Sequence, residues 1–193
     1  MKYKTILLFG APGSGKGTQG KILGTIPNFF HCACGDVFRN LTLESEVGRT
    51  FVAYSSRGEL VPDGPTVHLW RESIAANTNT GRFNPATDTL VLDGIPRNVA
   101  QARMLEDTLN VVAIFFLRCT KPENLVSRIQ RRAIRENRLD DASLEVIRER
   151  LRTYEKETKP VISFYGRDVV HRIDADQPPA KVLVDILRRL VKV

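Results

Sequence analysis

The chain has 193 residues, of which 42% are hydrophobic and 26% are charged, and its net charge is +7. This length suits one compact domain with an apolar core, and the composition excludes a disordered chain. No apolar stretch approaches the ~20 residues that a membrane-spanning helix needs, so we expect no membrane insertion. A basic protein can bind nucleic acid, an acidic membrane surface or small polyanions, and net charge alone does not choose among them.

The predicted strands are short apolar runs in which every residue is suited to burial. The clearest are residues 5–9, 89–92 and 111–117, and weaker candidates are residues 29–32 and 169–173. Continuous apolar runs of this length are typical of strands buried on both faces of a parallel sheet. Helical patterns lie between them, so the sequence predicts βαβ units and an α/β fold with a doubly wound, mostly parallel sheet.

Three helices and one loop are predicted from local signals. Residues 120–123 read Thr-Lys-Pro-Glu, a capping box that predicts the start of a helix. An apolar stripe over residues 144–154 predicts a second helix, which must stop before Pro160. Pro178 and the proline after it introduce a last helix, and residues 77–89 form a polar connection that predicts a surface loop.

The cysteines suggest neither a zinc site nor a disulfide framework. There are three, Cys32, Cys34 and Cys119, and the first two have no second pair at zinc-binding spacing. We therefore expect buried thiols in a reducing cytoplasm, and no zinc.

A glycine-rich segment after the first strand carries the strongest functional signal. Residues 10–18 read Gly-Ala-Pro-Gly-Ser-Gly-Lys-Gly-Thr, with a helical pattern beyond them. Glycines let successive backbone N–H groups curl round a phosphate, and the next helix adds favourable partial charge at its N-terminus. Lys16 could then reach the β- and γ-phosphates of a nucleotide. The alternative is a glycine-rich turn without a ligand, which the agreement of motif and context disfavours.

Asp93 comes at the end of the apolar run 89–92. An aspartate in this position beside a phosphate loop is where Mg²⁺ is held, often through water. The alternative is a turn or helix cap. We predict the metal role because the phosphate loop is present.

Arginines are concentrated in one stretch, where residues 128–152 include eight of them. Phosphoryl transfer needs positioning and charge stabilisation more than covalent help from the protein. Acidic residues interleave with these arginines, which favours a mixed-sign lid over a nucleic-acid stripe. The candidate phosphate ligands are Arg39, Arg97, Arg128, Arg132, Arg138 and Arg150.

Several segments resemble motifs of the adenylate kinase family, in register from about residue 5 to residue 190. Residues 10–19 resemble its phosphate loop, and Asp93 to Ala102 (DGIPRNVAQA) resemble its DG-[FY]-PR-x-x-x-Q-A motif. Four shorter segments also match: CGDVFR at 34–39, LVPD at 60–63, RLDD at 138–141, and the stretch from Tyr154 to Tyr165. The phosphate loop and the DGIPR block together are highly specific.

The resemblance implies transfer of a phosphoryl group from Mg·ATP to AMP, giving ADP, by a single domain that is a monomer in most of the family. It implies a five-stranded parallel sheet flanked by helices, with a core made of residues 1–32, 63–127 and 143–193. Residues 33–62 would be a mobile segment that closes over AMP, and residues 128–142 a short lid that closes over ATP.

The resemblance also assigns roles to residues. It assigns ATP binding to Gly13, Ser14, Gly15, Lys16, Gly17, Thr18 and Arg128. It assigns AMP binding to Cys34, Gly35, Arg39, Val61, Gly94, Arg97 and Gln101. It assigns catalysis to Lys16, Arg97, Arg132, Arg138 and Arg150, and Mg²⁺ to Asp93 through water. Gln101, an amide able to pair with the edge of adenine, would select AMP.

The chain departs from the family pattern at four places. Cys34 replaces a threonine near the AMP base, and Ile95 replaces an aromatic residue that we interpret as packing. Gly64 stands where an acidic residue is common. Asp141 and Arg150 are one residue further apart than usual, so that Arg148 could take the role of Arg150.

Three other functions stay open at the level of sequence. A UMP/CMP kinase of the same fold would carry asparagine where Gln101 stands, although Asn98 is a feature that those enzymes share. A P-loop ATPase would need a water-orienting residue, and none can be singled out. A nucleic-acid module could use the positive charge, but the retention of Lys16, Arg97 and Arg132 favours the kinase.

Overall fold

The structure is a computed structural model that describes residues 2–42, 44–136 and 143–193. Its centre is a five-stranded sheet in the order β2-β3-β1-β4-β5, and all the pairings are parallel. The strands are β1 (Tyr3–Gly10), β2 (Phe29–Ala33), β3 (Thr89–Asp93), β4 (Leu109–Arg118) and β5 (Val170–Asp174). Each of the five apolar runs forms a strand, and the predicted parallel α/β sheet is confirmed.

The central strand, β1, is buried because its apolar side chains pack on both faces of the sheet. Leu7 and Phe9 belong to one apolar core, and Ile6 and Leu8 belong to a second core on the other face. This division follows from the two-residue alternation of side chains along a strand. Burial on both faces explains why the run from residue 5 to residue 9 contains so little polarity.

Helices cover both faces of the sheet. They are α1 (Lys16–Leu23), α2 (Cys34–Arg39), α3 (Glu46–Ser55), α4 (Asp63–Asn79), α5 (Val99–Met104), α6 (Pro122–Arg135), α7 (Leu144–Thr153), α8 (Val161–Phe164) and α9 (Pro179–Leu190). Trp70 of α4 packs in the first core, and Leu23 of α1 and Ile186 of α9 pack in the second. The predicted helix after the paired prolines is α9.

The helix after β4 begins where it was expected, but the predicted capping box is wrong. The N-cap residue of α6 is Lys121, and no side chain caps the helix. The Thr120 hydroxyl instead donates a hydrogen bond of 2.7 Å to Asp176 Oδ2. The Thr120 hydroxyl is thus hydrogen-bonded to a carboxylate from the segment after β5 and does not cap the helix. The helix begins at Pro122, a residue favoured at the first helical position.

Two predicted boundaries also move. The loop expected from residue 77 begins later, because α4 continues through Asn79. The stripe over residues 144–154 forms α7, which passes into a π-helical turn, Tyr154–Thr158, that ends before Pro160 as the proline requires.

Candidate active site

The carboxyl ends of the strands bring the predicted site residues to one edge of the sheet. Gly10 ends β1, Asp93 ends β3, and Cys34 directly follows β2. Open parallel sheets bind ligands at this edge. A cleft of about 900 Å³ opens there, between the glycine-rich loop and an array of arginines.

The loop after β1 is built for close backbone approach. Gly13 and Gly15 have φ angles of +81° and +100°, a region that side chains strongly disfavour. A Cβ at Gly13 would lie 2.9 Å from the backbone oxygen of Leu125, whereas Gly15 faces open space. No side chain of the described residues caps α1, and its first turn carries no acidic residue. The amide groups at this helix start are therefore suited to an anion.

Lys16 lies within this loop as the first residue of α1. Its ammonium donates hydrogen bonds of 2.7 Å and 3.1 Å to the carbonyl oxygens of Gly10 and Ala11. Burial, opposed by Asp93 and assisted by nearby arginines, lowers the pKa of Lys16 to about 8. A lysine held among other cations at the floor of a cleft is suited to a polyanionic ligand.

The seven arginines that line the cleft come from four separate parts of the chain. They are Arg39, Arg97, Arg128, Arg131, Arg132, Arg135 and Arg150. Arg97 is fixed by a 2.8 Å hydrogen bond from Nε to the carbonyl oxygen of Gly94, and Arg128 by one of 2.8 Å from Nη1 to that of Ala175. Arg39 pairs with Asp36 across one helical turn.

Three buried polar atoms on the cleft lining have no hydrogen-bond partner within the described residues: Ser14 Oγ, Gln19 Oε1 and the Tyr154 hydroxyl. Buried polar groups are nearly always paired, with protein, water or ligand. These three residues therefore place unpaired polar atoms just behind the wall of the cleft, and the sequence patterns did not point to Gln19 or Tyr154.

Asp93 is the candidate metal ligand, and its side chain lies beside the phosphate loop. The residue is buried, and a Cβ at Gly17 would lie 3.6 Å from Asp93 Oδ2. No cluster of three or more His, Cys, Asp or Glu occurs in the described residues. One carboxylate fits Mg²⁺, which commonly takes one or two protein carboxylates together with waters and nucleotide phosphates.

Gln101 lies in a separate polar network at the end of the cleft near Arg97. Its Oε1 accepts a 2.7 Å hydrogen bond from the backbone N–H of Arg97, and its Nε2 donates one of 2.8 Å to Asp63 Oδ1. Gln101, Cys34 and Val61 line a small adjoining cavity of about 20 Å³. Burial raises the pKa of the Cys34 thiol to about 11, so this thiol is neutral at physiological pH.

Comparison with known proteins agrees with this geometry. The sequence profile of the adenylate kinase family matches residues 8–170. An adenylate kinase of Thermobifida fusca is 36% identical over 183 residues, 92% of this chain and 93% of the relative. Adenylate kinase isoenzyme 1 of Gallus gallus is 32% identical over 192 residues, 98% of this chain and 95% of the relative.

This chain belongs to the adenylate kinase family. The resemblance that the motifs indicated is thereby confirmed, as is the phosphotransferase class. An adenylate kinase of Cyanothece sp., 37% identical over 187 residues, covers 94% of this chain and 92% of its own length. The family relationship therefore extends over nearly the whole chain.

The main cleft collects most of the residues that the adenylate kinase resemblance assigned. They are Gly13, Ser14, Gly15, Lys16, Gly17, Thr18, Gly35, Arg39, Asp93, Gly94, Arg97, Arg128, Arg132 and Arg150. Arg150 lines the cleft, whereas Arg148 is exposed and does not. Arg138 lies outside the described residues, and its role stays a prediction.

Asp63 and Asn98 form hydrogen bonds around Gln101, and neither was among the predicted site residues. Asp63 Oδ1 accepts from both Asn98 Nδ2 and Gln101 Nε2. Asp63 stands inside the LVPD motif, and Asn98 follows DGIPR and was noted only as a feature shared with UMP/CMP kinases.

No helix in the described part of the chain is long and apolar enough to cross a membrane.

Proposed function

We propose that this chain catalyses the reversible transfer of the γ-phosphoryl group of Mg·ATP to AMP, which yields two molecules of ADP. The observation that carries the proposal is the convergence of Lys16 and seven arginines on one cleft beside a phosphate loop. ATP and AMP together bring about six negative charges, and they can approach in line only where cations neutralise them.

The ATP half of the cleft would be the phosphate loop with helix α6. Backbone amides of residues 13–18 and the Lys16 ammonium would hold the phosphates. Arg128 would lie against adenine, since its guanidinium is fixed by the Ala175 carbonyl and lines the cleft. Arg132, Arg138 and Arg150 would stabilise the transferring group, with the first two arriving on the lid.

The AMP half would be the segment from residue 33 to residue 62 together with the DGIPR block. Arg39 and Arg97 would clamp the AMP phosphate. Gln101 would read the base, and four neighbours would line the pocket: Cys34, Gly35, Val61 and Gly94. The small cavity beside Gln101 has room for about one water molecule. The segment 33–62 would therefore move outward to admit the base and close over it.

Asp93 would hold Mg²⁺ through water, because it is the buried carboxylate that the described residues place beside the loop. A magnesium ion held there with ATP would supply positive charge that offsets the negative charge of the phosphates. Chelation of Mg²⁺ should abolish the activity, and Asp93→Ala should lower the activity without unfolding the core.

The chemistry needs no general base, because the AMP phosphate is already an anion at neutral pH. It does need the exclusion of water, which would otherwise take the phosphoryl group. Closure of the segments 33–62 and 128–142 over the nucleotides would supply that exclusion. We further propose that the enzyme acts as a monomer in the cytoplasm, with nucleotides as its only ligands and no nucleic acid or membrane partner.

The preference for AMP over CMP and UMP follows from the same network. Asn98, the residue shared with pyrimidine kinases, uses its amide elsewhere: Oδ1 caps α5 by accepting from Gln101 N, and Nδ2 donates to Asp63. Gln101 retains one N–H and one lone pair that these bonds do not use. Gln101 therefore has an amide suited to reading a base, and glutamine is the residue expected at this position in AMP kinases.

A coupled assay with ATP, Mg²⁺ and each nucleoside monophosphate in turn tests the proposal. We expect the highest kcat/KM with AMP and little ATP turnover without an acceptor. Comparable values for CMP or UMP would favour a pyrimidine kinase. Turnover of ATP that needs no acceptor would favour an ATPase.

A further inference from the structure

Three side chains form a closed hydrogen-bonded network where α4 and α5 begin. Asp63 is the first residue of α4, Asn98 is the N-cap of α5, and Gln101 is buried in α5 with 1% of its surface exposed. Asp63 Oδ1 accepts from both amide groups, at 2.8 Å in each case. The opposite end of the Gln101 amide, Oε1, accepts from the Arg97 backbone N–H at 2.7 Å.

This network fixes which way round the Gln101 amide lies. A carboxylate can only accept hydrogen bonds, so the NH₂ group of Gln101 must face Asp63. A backbone N–H can only donate, so Oε1 must face Arg97. A reversed amide would set oxygen against the carboxylate and NH₂ against the N–H, and both contacts would be lost.

Adenine and the 6-oxopurines present opposite arrangements of hydrogen-bond donors and acceptors to such an amide. The pairing edge of adenine carries an acceptor at N1 and a donor at the 6-amino group. The edge of hypoxanthine or guanine carries a donor at N1 and an acceptor at O6. An amide of one fixed orientation can match only one of these patterns.

We infer that Asp63 is a positioning residue that holds the Gln101 amide in one orientation and thereby selects 6-aminopurine over 6-oxopurine acceptors. The inference rests on the proposed function, because it assumes that Gln101 reads the acceptor base. Asp63 itself acts through Gln101. To bind a 6-oxopurine, the Gln101 amide would have to rotate by half a turn. That rotation would break its charge-assisted hydrogen bond to Asp63.

A set of variants separates the hydrogen bond from the charge. Asp63→Leu has similar branching but no acceptor, and Asp63→Asn removes the charge while it keeps an oxygen that the Asn98 amide can hold. The measurement is kcat/KM with AMP and with IMP, at saturating Mg·ATP. We expect D63L to lower the AMP-to-IMP ratio at least ~10-fold, D63N to keep it within about threefold, and both to leave KM for ATP unchanged.

Two controls test whether Asp63 acts through Gln101. In a Gln101→Ala background, the further change D63L should leave the ratio unaltered, since no amide remains to orient. Asp107→Asn makes the same charge change at an exposed aspartate just after α5 and should match the unaltered protein.

The inference is overturned if D63L keeps the ratio, if D63N lowers it as much as D63L, or if D63L still lowers it without Gln101. Failure of the proposed function is a different result, namely no ATP-dependent turnover of AMP by the unaltered chain.

A measurement on the unaltered protein covers the case in which D63L does not fold. The amide protons of Gln101 and Asn98 point at the same oxygen, so NMR should show a strong cross-relaxation peak between the two NH₂ groups. Absence of that peak, with both groups assigned, would contradict the orientation.

Discussion

Arg97 is the residue on which the proposed chemistry depends most. Its Nε is bound to the Gly94 carbonyl, so the rest of the guanidinium has a fixed direction within the cleft. A planar fork held in this way suits a bidentate contact with a phosphate, which a lysine ammonium cannot reproduce.

We predict that Arg97→Lys loses at least ~100-fold in kcat/KM although it keeps the charge. The melting temperature should fall by no more than a few degrees, because one hydrogen bond to a backbone carbonyl contributes about 1 kcal/mol to folding. Arg103→Lys, at an exposed position in α5, is the matched control and should behave like the unaltered enzyme. A folded R97K protein with near-normal activity would remove the centre of the mechanism.

Lys16 should give the activity a pH dependence. Burial, assisted by Arg132, Arg97 and Arg150, lowers its pKa to about 8 in the nucleotide-free protein. We expect kcat/KM for ATP to fall above about pH 8 as the ammonium loses its proton, since this constant reports the ionisation of the free enzyme. Lys16→Arg should be less active and lack this fall, because arginine keeps its charge there. A flat profile for the unaltered protein well above pH 8 would contradict the prediction.

The protonated form of Lys16 is expected to favour activity, but its burial opposes folding. Its folded pKa lies below its usual value of 10.5, so the folded state holds this proton less tightly than the unfolded chain. The burial of Lys16 therefore opposes folding below about pH 8, and this penalty is relieved as the pH rises from about 8 towards 10.5. Other groups titrate in the same range, so the activity profile is the cleaner measurement.

At the scale of elements, the loop between α3 and α4 contacts α7. Gly58 in this loop has a φ of +75°, and the Thr153 hydroxyl donates a 3.2 Å hydrogen bond to its carbonyl oxygen. A Cβ at Gly58 would lie 2.9 Å from Val146 O and 3.1 Å from Arg150 N. The proposed AMP segment thus packs directly on the helix that carries Arg150 to the cleft.

We predict that Gly58→Ala lowers stability by about 1–3 kcal/mol, from the left-handed backbone and from crowding against α7. For a chain of this size that corresponds to roughly 2–4 °C in melting temperature for each kcal/mol. Gly81→Ala is the control: Gly81 has a similar left-handed φ of +71° but nothing within 4 Å of its Cβ position, so it should show only the backbone part of that loss. Equal melting temperatures for the two variants would contradict the packing argument.

At the scale of the whole molecule, the residues of both proposed nucleotide sites line one continuous cleft. A ligand that fills both should hold the sheet edge, the AMP segment and α6 together. Stabilisation by a ligand follows its concentration relative to Kd and reaches about 2.7 kcal/mol at a hundredfold excess.

We predict that ADP with Mg²⁺ raises the melting temperature by roughly 5–10 °C at such an excess. ADP can occupy both halves of the cleft, so it should stabilise more than AMP alone at the same ratio to its Kd. Scanning calorimetry over a concentration series measures the shift. A melting temperature that does not respond to ADP would contradict nucleotide binding in this cleft.

The sequence by itself determined the sheet and the phosphate loop, because both depend on local pattern. A strand buried on both faces has to be continuously apolar, and a loop that wraps a phosphate has to contain glycines. Helices α2, α3, α4, α5 and α8 were not predicted. The start of α4 contains Gly64 and Pro65, which resemble a turn until the structure shows them in the first turn of a helix.

Only the tertiary structure decided which partners the polar side chains take. Thr120 looked like a helix cap, but Asp176, 56 residues away, takes its hydroxyl. Gln101 was predicted to read the base, but the sequence did not show that its amide donates a hydrogen bond to Asp63, 38 residues earlier in the chain. Hydrogen bonds of this kind join groups that are distant in sequence and close in space, and local periodicity carries no information about them.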